Sequence, residues 1–255
     1  MNILFTVCCR AGSKGLKNKN IRLFLEVPLA YYTLASINLY SKKFSEKDTI
    51  HISLNSDSEE LIKQVLAFES EIFIIRREQV LTGDRVSKIA VVKDCLQRAE
   101  TEFDLQYDTV IDLDVTSPLR RVKDIRNAFI KMDQRDMDVV FSVTPSRRNP
   151  YFNMVQKNSD GTVSKVLESD YTTRQQAPEM FDMNASIYIY NPEFLRSNES
   201  NLLFDGRCAS IIMPDTGILD IDSEDDFALM EAIGALLYEN DPEYGEIAQE
   251  ARRKG

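Results

Sequence analysis

The sequence predicts an α/β fold, a mostly parallel sheet with helices on both faces. Three observations lead there. Strand-like and helix-like segments alternate through the first 143 residues. The first strand runs straight into a turn rich in Gly, Ser and Lys, at the place where open parallel sheets bind ligands. The chain has 255 residues, enough for one large α/β domain or a domain with an added lobe.

The elements follow in order. Strands are expected at residues 3–8, 49–54, 72–75, 108–113 and 138–143, and helices at about 29–42, 57–68, 86–102 and 121–135. Ser56-Asp57-Ser58-Glu59-Glu60 opens one helix with a cap and acids in its first turn. Residues 144–190 break the pattern: three strand-like stretches, 151–156, 161–167 and 186–190, follow without a helix. Asn158-Ser-Asp-Gly161 makes a turn between the first two. A hairpin-rich excursion of this kind suits a lid or an interface arm. The core resumes with a short strand near 208–213, and Ser223-Glu-Asp-Asp226 caps a helix to about 239. From residue 240 the chain is a charged tail that is expected to fray.

Composition narrows the function. Hydrophobic residues make up 43% and charged residues 28%, ordinary proportions for a globular protein. No apolar run approaches the ~20 residues of a membrane span, and the N-terminus lacks signal-peptide features. A net charge of −10 argues against nucleic acid or an acidic membrane as partner. Cys8, Cys9, Cys95 and Cys208 have neither disulfide-framework nor zinc spacing, so reduced thiols and a cytoplasmic location are expected. The single histidine, His51, lies within a strand and reads as structural.

Four constellations carry chemistry. In the first turn, Arg10, Lys14, Lys19 and Asn20 surround the backbone amides of Gly12 to Gly15 and would neutralise a triphosphate. Neither the dinucleotide-binding glycine fingerprint nor the Gly-Lys-Ser/Thr phosphate loop is present, and a solvated basic loop is the bland alternative. Asp220-Ile-Asp222, read as strand, puts two carboxylates on one side, a pairing that suits Mg²⁺. The same acids would also serve the helix start that follows. Asp112-Leu-Asp114 ends the fourth strand and leads into Thr116-Ser117-Pro-Leu-Arg120. Such a pair is a weak metal motif on its own. Finally, Arg174 suits a bidentate pair with a carboxylate, and Gln175, Asn184 and Tyr188 can bond hydroxyls and amides.

In chain order these pieces are Arg10-x-Gly-Ser-Lys-Gly with Lys19-Asn20, Arg77 with Asp84, Thr116-Ser-Pro-Leu-Arg120, Arg174-Gln-Gln, Asn184-Ala-Ser-Ile-Tyr188 and Asp220-Ile-Asp222-Ser-Glu. Together, over residues 2–235, they resemble the acylneuraminate cytidylyltransferase family. The resemblance implies a Rossmann-like domain in a homodimer, with the hairpin region 144–185 as the dimerisation arm. It implies transfer of CMP from CTP to a nonulosonic acid, a 2-keto sugar acid, with Mg²⁺ required and pyrophosphate released. On matching positions, Arg10, Ser13, Lys14, Lys19 and Asn20 would hold the phosphates, and Arg77 and the segment to Lys88 would lie near the cytosine. Asp220 and Asp222 would hold the metal. Arg10, Lys14 and Asp222 would be catalytic, and Asp114, Ser117, Arg174, Gln175, Asn184 and Tyr188 would meet the sugar. Arg174 would grip its carboxylate, from its own subunit or across the dimer.

One departure bears on the substrate. Sialic acid enzymes usually carry Gln-Pro where this chain has Asp114-Val115. The runs 111–114, 147–153, 173–178 and 182–188 are similar to the CMP-legionaminic acid synthase branch. A carboxylate accepts hydrogen bonds from N–H, whereas Gln also donates. Alternatives stay open: a sialic or pseudaminic acid enzyme, a glycosyltransferase using Asp112 and Asp114, or a non-catalytic nucleotide-sugar binding module.

Overall fold

The computed structural model describes residues 1–12, 15–83, 86–216 and 220–253, except for the side chains of residues 134 and 135. Strand β1 (Asn2–Cys8) is followed by a single 3-10 turn at Lys19–Ile21 and a tiny hairpin of β2 (Leu23–Phe24) and β3 (Val27–Pro28). Then come α1 (Leu29–Phe44), β4 (Thr49–Ser56), α2 (Glu59–Phe68), β5 (Phe73–Arg76), α3 (Lys88–Phe103), β6 (Thr109–Leu113), α4 (Val122–Arg135) and β7 (Val139–Pro145). The arm follows, with β8 (Val155–Lys157) paired antiparallel to β9 (Val163–Lys165). The chain ends with β10 (Phe181–Tyr190), α5 (Pro192–Ser197), β11 (Cys208–Ile212), α6 (Glu224–Asn240) and α7 (Pro242–Arg252).

Seven strands form one sheet in the order β11-β7-β10-β6-β1-β4-β5. All neighbours are parallel except β10, which runs antiparallel to both β6 and β7. The central strand explains itself. Ile3, Leu4, Phe5 and Val7 are each at most 1% exposed, so β1 is apolar on both faces because helices cover both. The chain leaves β1 for β4 and β5 on one side and returns to β6 on the other. That reversal opens a crevice at the carboxyl ends of β1 and β6, the usual binding place of such sheets.

Helix starts follow the sequence signals. The Ser58 hydroxyl accepts from the Leu61 N–H to cap α2, and Ser87 accepts from Ala90 N–H to cap α3. Ser223 and Asp226 form a reciprocal capping box on α6.

Two boundaries differ from expectation. The strand-like stretch 186–190 is the second half of β10, so the last residues assigned to the arm, 181–185, belong to the central sheet. Pairing slips between Met183 and Tyr188, where Ala185 adopts φ 53°. The charged tail does not fray within the described residues. Asp241 caps α7, Pro242 starts it, and Tyr244, Ile247, Ala248 and Ala251 form a buried stripe at helical spacing. Lys42 on α1 pairs with Glu250 at 2.8 Å. Charge at many positions had masked a stripe of small apolar residues.

Candidate active site

A cavity of about 270 Å³ opens at the crevice between β1 and β6. Arg10, Lys19, Asn20, Arg77, Lys88, Asp114 and Asp220 all line it. Seven residues singled out from separate stretches of sequence therefore share one wall system. Ser13, Lys14 and Asp84 lie outside the described residues.

The turn after β1 is held from several sides. The backbone N–H of Ala11 donates to Asp57 Oδ1 at 2.5 Å, and Asn20 Nδ2 donates to the Arg10 carbonyl at 3.1 Å. Arg10 Nη1 reaches the Thr82 carbonyl at 3.3 Å. Asn20 thus braces the backbone that carries Arg10. Lys19 ties this turn to the far end of the chain. Its ammonium donates to the Ile221 carbonyl at 2.7 Å and lies 3.2 Å from Asp222 and 3.8 Å from Asp220. Gly15 is required here, because a Cβ would collide with the carbonyl oxygen of Asp222.

The 220–222 segment is irregular, not a strand. Ile221 is fully buried as an anchor, Asp220 is half-buried and Asp222 is 74% exposed. Asp220 lines the cavity, whereas Asp222 stands at its rim against Lys19. Burial raises the Asp220 carboxyl above its usual range, and the nearby Asp114 carboxylate raises it further.

Arg77 is fixed by Asn55 at the end of β4. Its Nε donates to Asn55 Oδ1 at 2.7 Å and its Nη2 to the Asn55 carbonyl at 3.0 Å. Asn55 Nδ2 in turn donates to Asp94 Oδ2 at 3.0 Å. Sequence reading missed Asn55 and Asp94, since each reads singly as an ordinary polar residue.

Asp114 is engaged at both carboxylate oxygens. Lys88 Nζ lies 2.8 Å from Asp114 Oδ2 and 2.9 Å from Asp112 Oδ2. The Thr116 N–H and hydroxyl donate to Asp114 Oδ1 at 3.0 and 2.8 Å. Burial alone would raise the Asp114 carboxyl, but the Lys88 charge and these bonds outweigh it and hold it well below the usual carboxylate range. Burial alone would lower Lys88, yet Asp112 and Asp114 hold it well above its usual range. Thr116 was read only as the start of the Thr116–Arg120 run and given no role of its own, although a hydroxyl two residues after a strand-ending Asp is a turn signal. Beneath the loop, buried Arg120 donates to the carbonyls of Asp114 and, at 2.7 Å, Ser117. Burial pushes its guanidinium down to about 10.

The residues expected to meet the sugar do not gather in one place. Asp114 lines the main cavity, and Tyr188 lies under Lys88. Ser117 and Asn184 line a smaller recess with Thr144, Met213 and Pro214. Asn184 Oδ1 accepts from the Ser142 hydroxyl at 2.6 Å, so half of that amide serves the bulge of β10. Arg174 and Gln175 are exposed on a 3-10 turn of the arm, where Arg174 Nη2 donates to the Ser146 carbonyl at 2.8 Å.

Cys8 and Cys9 also line the cavity. Burial raises the Cys9 thiol strongly, and a hydrogen bond to Cys95, with burial, does the same for Cys8. Both stay protonated at neutral pH and are poor nucleophiles. Among the described residues no group of three or more His, Cys, Asp or Glu side chains is placed to hold a metal ion. Mg²⁺ carried by a triphosphate needs only one or two carboxylates. Asp220, facing the cavity with its carboxyl raised beside Asp114, fits that requirement.

Comparisons with known proteins agree on one family. The profile of a family described as Cytidylyltransferase matches residues 4–200. The chain is 42% identical to post-translational flagellin modification protein B of Campylobacter coli, across 90% of this chain and 93% of that one. It is 38% identical to CMP-N,N'-diacetyllegionaminic acid synthase of Campylobacter jejuni, across 92% and 95%. Its fold is similar to that of CMP:2-keto-3-deoxy-manno-octonic acid synthetase complexed with CTP, with a TM-score of 0.62 at 14% identity, covering 92% of this chain and 99% of that one.

Proposed function

The chain belongs to the cytidylyltransferase family, a nucleotidyltransferase enzyme, and from that premise we propose that it activates a nonulosonic acid with CTP, releasing pyrophosphate. The observation that carries this reading is the convergence of Arg10, Lys19, Arg77, Asp114 and Asp220 on one cavity at the β1–β6 crevice. The anomeric hydroxyl of the sugar attacks the α-phosphorus in line, and pyrophosphate leaves. Arg10 and Lys19, with Lys14 from the same turn, bind the phosphates and stabilise charge that develops on them. Asn20 braces the same turn through its bond to the Arg10 carbonyl, and the phosphate role of Ser13 rests on its place in the sequence. Asp220 and Asp222 would hold Mg²⁺, which supplies charge neutralisation at the phosphates when bound. No covalent intermediate is required, in keeping with the protonated Cys8 and Cys9.

The sugar proposed is legionaminic acid. Support comes from 38% identity to CMP-N,N'-diacetyllegionaminic acid synthase and from Asp114. Asp114 Oδ2 takes one bond from Lys88, and a carboxylate lining the cavity suits an acylamino N–H. A glycosyltransferase reading built on Asp112 and Asp114 is disfavoured. Asp112 is fully buried, accepts from Thr6 Oγ1 at 2.7 Å and is ion-paired with Lys88. The arm exposes Val155 (61%) and Val163 (63%), which supports a homodimer in which Arg174 faces the partner's sugar site. Sedimentation velocity showing only a monomer would contradict that arrangement.

The test is pyrophosphate release from CTP with a panel of legionaminic, pseudaminic and sialic acids. Legionaminic acid is expected to give the highest kcat/KM, and Asp114→Gln to move preference toward sialic acid. Equal preference before and after substitution would remove Asp114 from the sugar pocket.

A further inference from the structure

Two carboxylates, Asp112 and Asp114, stand side by side at the end of β6, and the side chain of Asp112 is 1% exposed. A buried carboxylate pair needs a cation, because burial strips both of water and brings like charges together. In this chain the cation is an ammonium. Lys88 Nζ is 2.9 Å from Asp112 Oδ2 and 2.8 Å from Asp114 Oδ2, and 5.0 Å from the centroid of the Tyr188 ring. Its place is fixed by the first residue of α3, which Ser87 caps.

We propose that Lys88 is a positioning residue that occupies the place a divalent ion would take between Asp112 and Asp114, so that metal binding is confined to Asp220 and Asp222. This deepens the cytidylyl-transfer reading and rests on it for its consequence in turnover.

Three features support the assignment. Mg²⁺ insists on six close oxygens and retains several waters. With Lys88 against Oδ2 and Thr6 on Oδ1, Asp112 offers no open edge to a hydrated ion. An ammonium on a flexible stem makes the same bridge without waters. The third feature is direction. Lys88 keeps Asp114 Oδ2 engaged while Thr116 holds Oδ1, so the carboxylate plane is set from both ends. Asp114, which lines the same cavity as Asp220, is then a fixed negative wall rather than a mobile ligand. Lys88 also lines that cavity and is 29% exposed, so its removal would open the pair to solvent ions.

The experiment is a Mn²⁺ titration of the protein without nucleotide or sugar, read by electron paramagnetic resonance of free Mn²⁺. Lys88→Met is expected to bind one Mn²⁺ more per chain than the parent. Lys88→Arg, which keeps the cation, should match the parent, and Lys88→Met with Asp112→Asn should lose the extra ion. In turnover, Lys88→Met should lower kcat at limiting metal by roughly tenfold and recover part of it at high Mg²⁺, while Lys88→Arg retains most of the rate. Should Lys88→Met be unfolded in chelator, Mg²⁺ or Mn²⁺ is expected to restore its melting transition. A folded Lys88→Met with the parent's Mn²⁺ stoichiometry, or an unfolded one that neither ion rescues, overturns the proposal. The titration contains no CTP, so failure of the cytidylyl-transfer reading would appear separately, as absent pyrophosphate release in the parent enzyme.

Discussion

Lys19 shows how single residues carry the proposed chemistry. It reaches from the first turn to Asp220, Ile221 and Asp222, some two hundred positions along the chain, and so joins phosphate cradle to carboxylates. Lys19→Ala is expected to reduce kcat by ~10²-fold or more, as loss of a charge-stabilising donor does. Near-normal turnover in steady-state kinetics would remove Lys19 from the site. The Lys88–Asp114 pair makes a prediction in pH. The carboxyl of Asp114 is depressed, so its contribution to stability is complete above the ordinary carboxylate pKa of about 3.9 and fades only as pH falls through its lower folded value. Lys88 is raised, so its contribution is complete below the ordinary pKa of about 10.4 and is lost as pH climbs through its higher folded value. Between these limits the pair's contribution is constant. In chelator, Lys88→Met should cost about 3–5 kcal/mol in urea unfolding, equally at pH 5, 7 and 9. A cost that shrinks across that range would show that the pair titrates there. At this scale the sequence was readable where residues cluster in the chain, as at Arg10, Lys19 and Asn20. It was not readable for Asn55 and Asp94, whose roles come from partners distant in sequence.

At the level of elements, local chemistry predicted where helices start. Ser58, Ser87 and Ser223 each cap the helix that follows them. Ends and partners were harder. The stretch at 186–190 looked like part of the hairpin excursion because its strand pattern is the same whether it pairs locally or inserts between β6 and β7. The strand character assigned to 220–222 failed because an isolated Asp-Ile-Asp satisfies both a period of two and a simple anchored loop. Helix α7 is the clearest case. Its charge suggested a frayed tail, yet Tyr244 is 2% exposed, with the Arg121 guanidinium 5.8 Å from its ring centroid. Tyr244→Ala is expected to destabilise the protein by about 3–5 kcal/mol, the usual cost of emptying a large aromatic site. A change below ~1 kcal/mol in chemical unfolding would mean that α7 is dispensable to the core.

At the scale of the whole molecule, alternation of strands and helices foretold the α/β sheet, and the chain's reversal about β1 explains why the site forms where it does. Arg10, Lys19, Arg77, Asp114 and Asp220 come from separate stretches of the chain, so no single motif could have shown their meeting. Among the described residues no helix is long and apolar enough to cross a membrane. The residues proposed to meet the sugar are divided among cavity, recess and arm, as the proposed homodimer requires. The proposed chemistry is attack on the α-phosphorus of CTP within this cavity. ³¹P NMR of the enzyme with CTP, Mg²⁺ and legionaminic acid tests it most directly. A single new phosphodiester resonance from the CMP-sugar is expected, growing in step with inorganic pyrophosphate. Formation of CDP with inorganic phosphate, or no change in the CTP resonances, would contradict it.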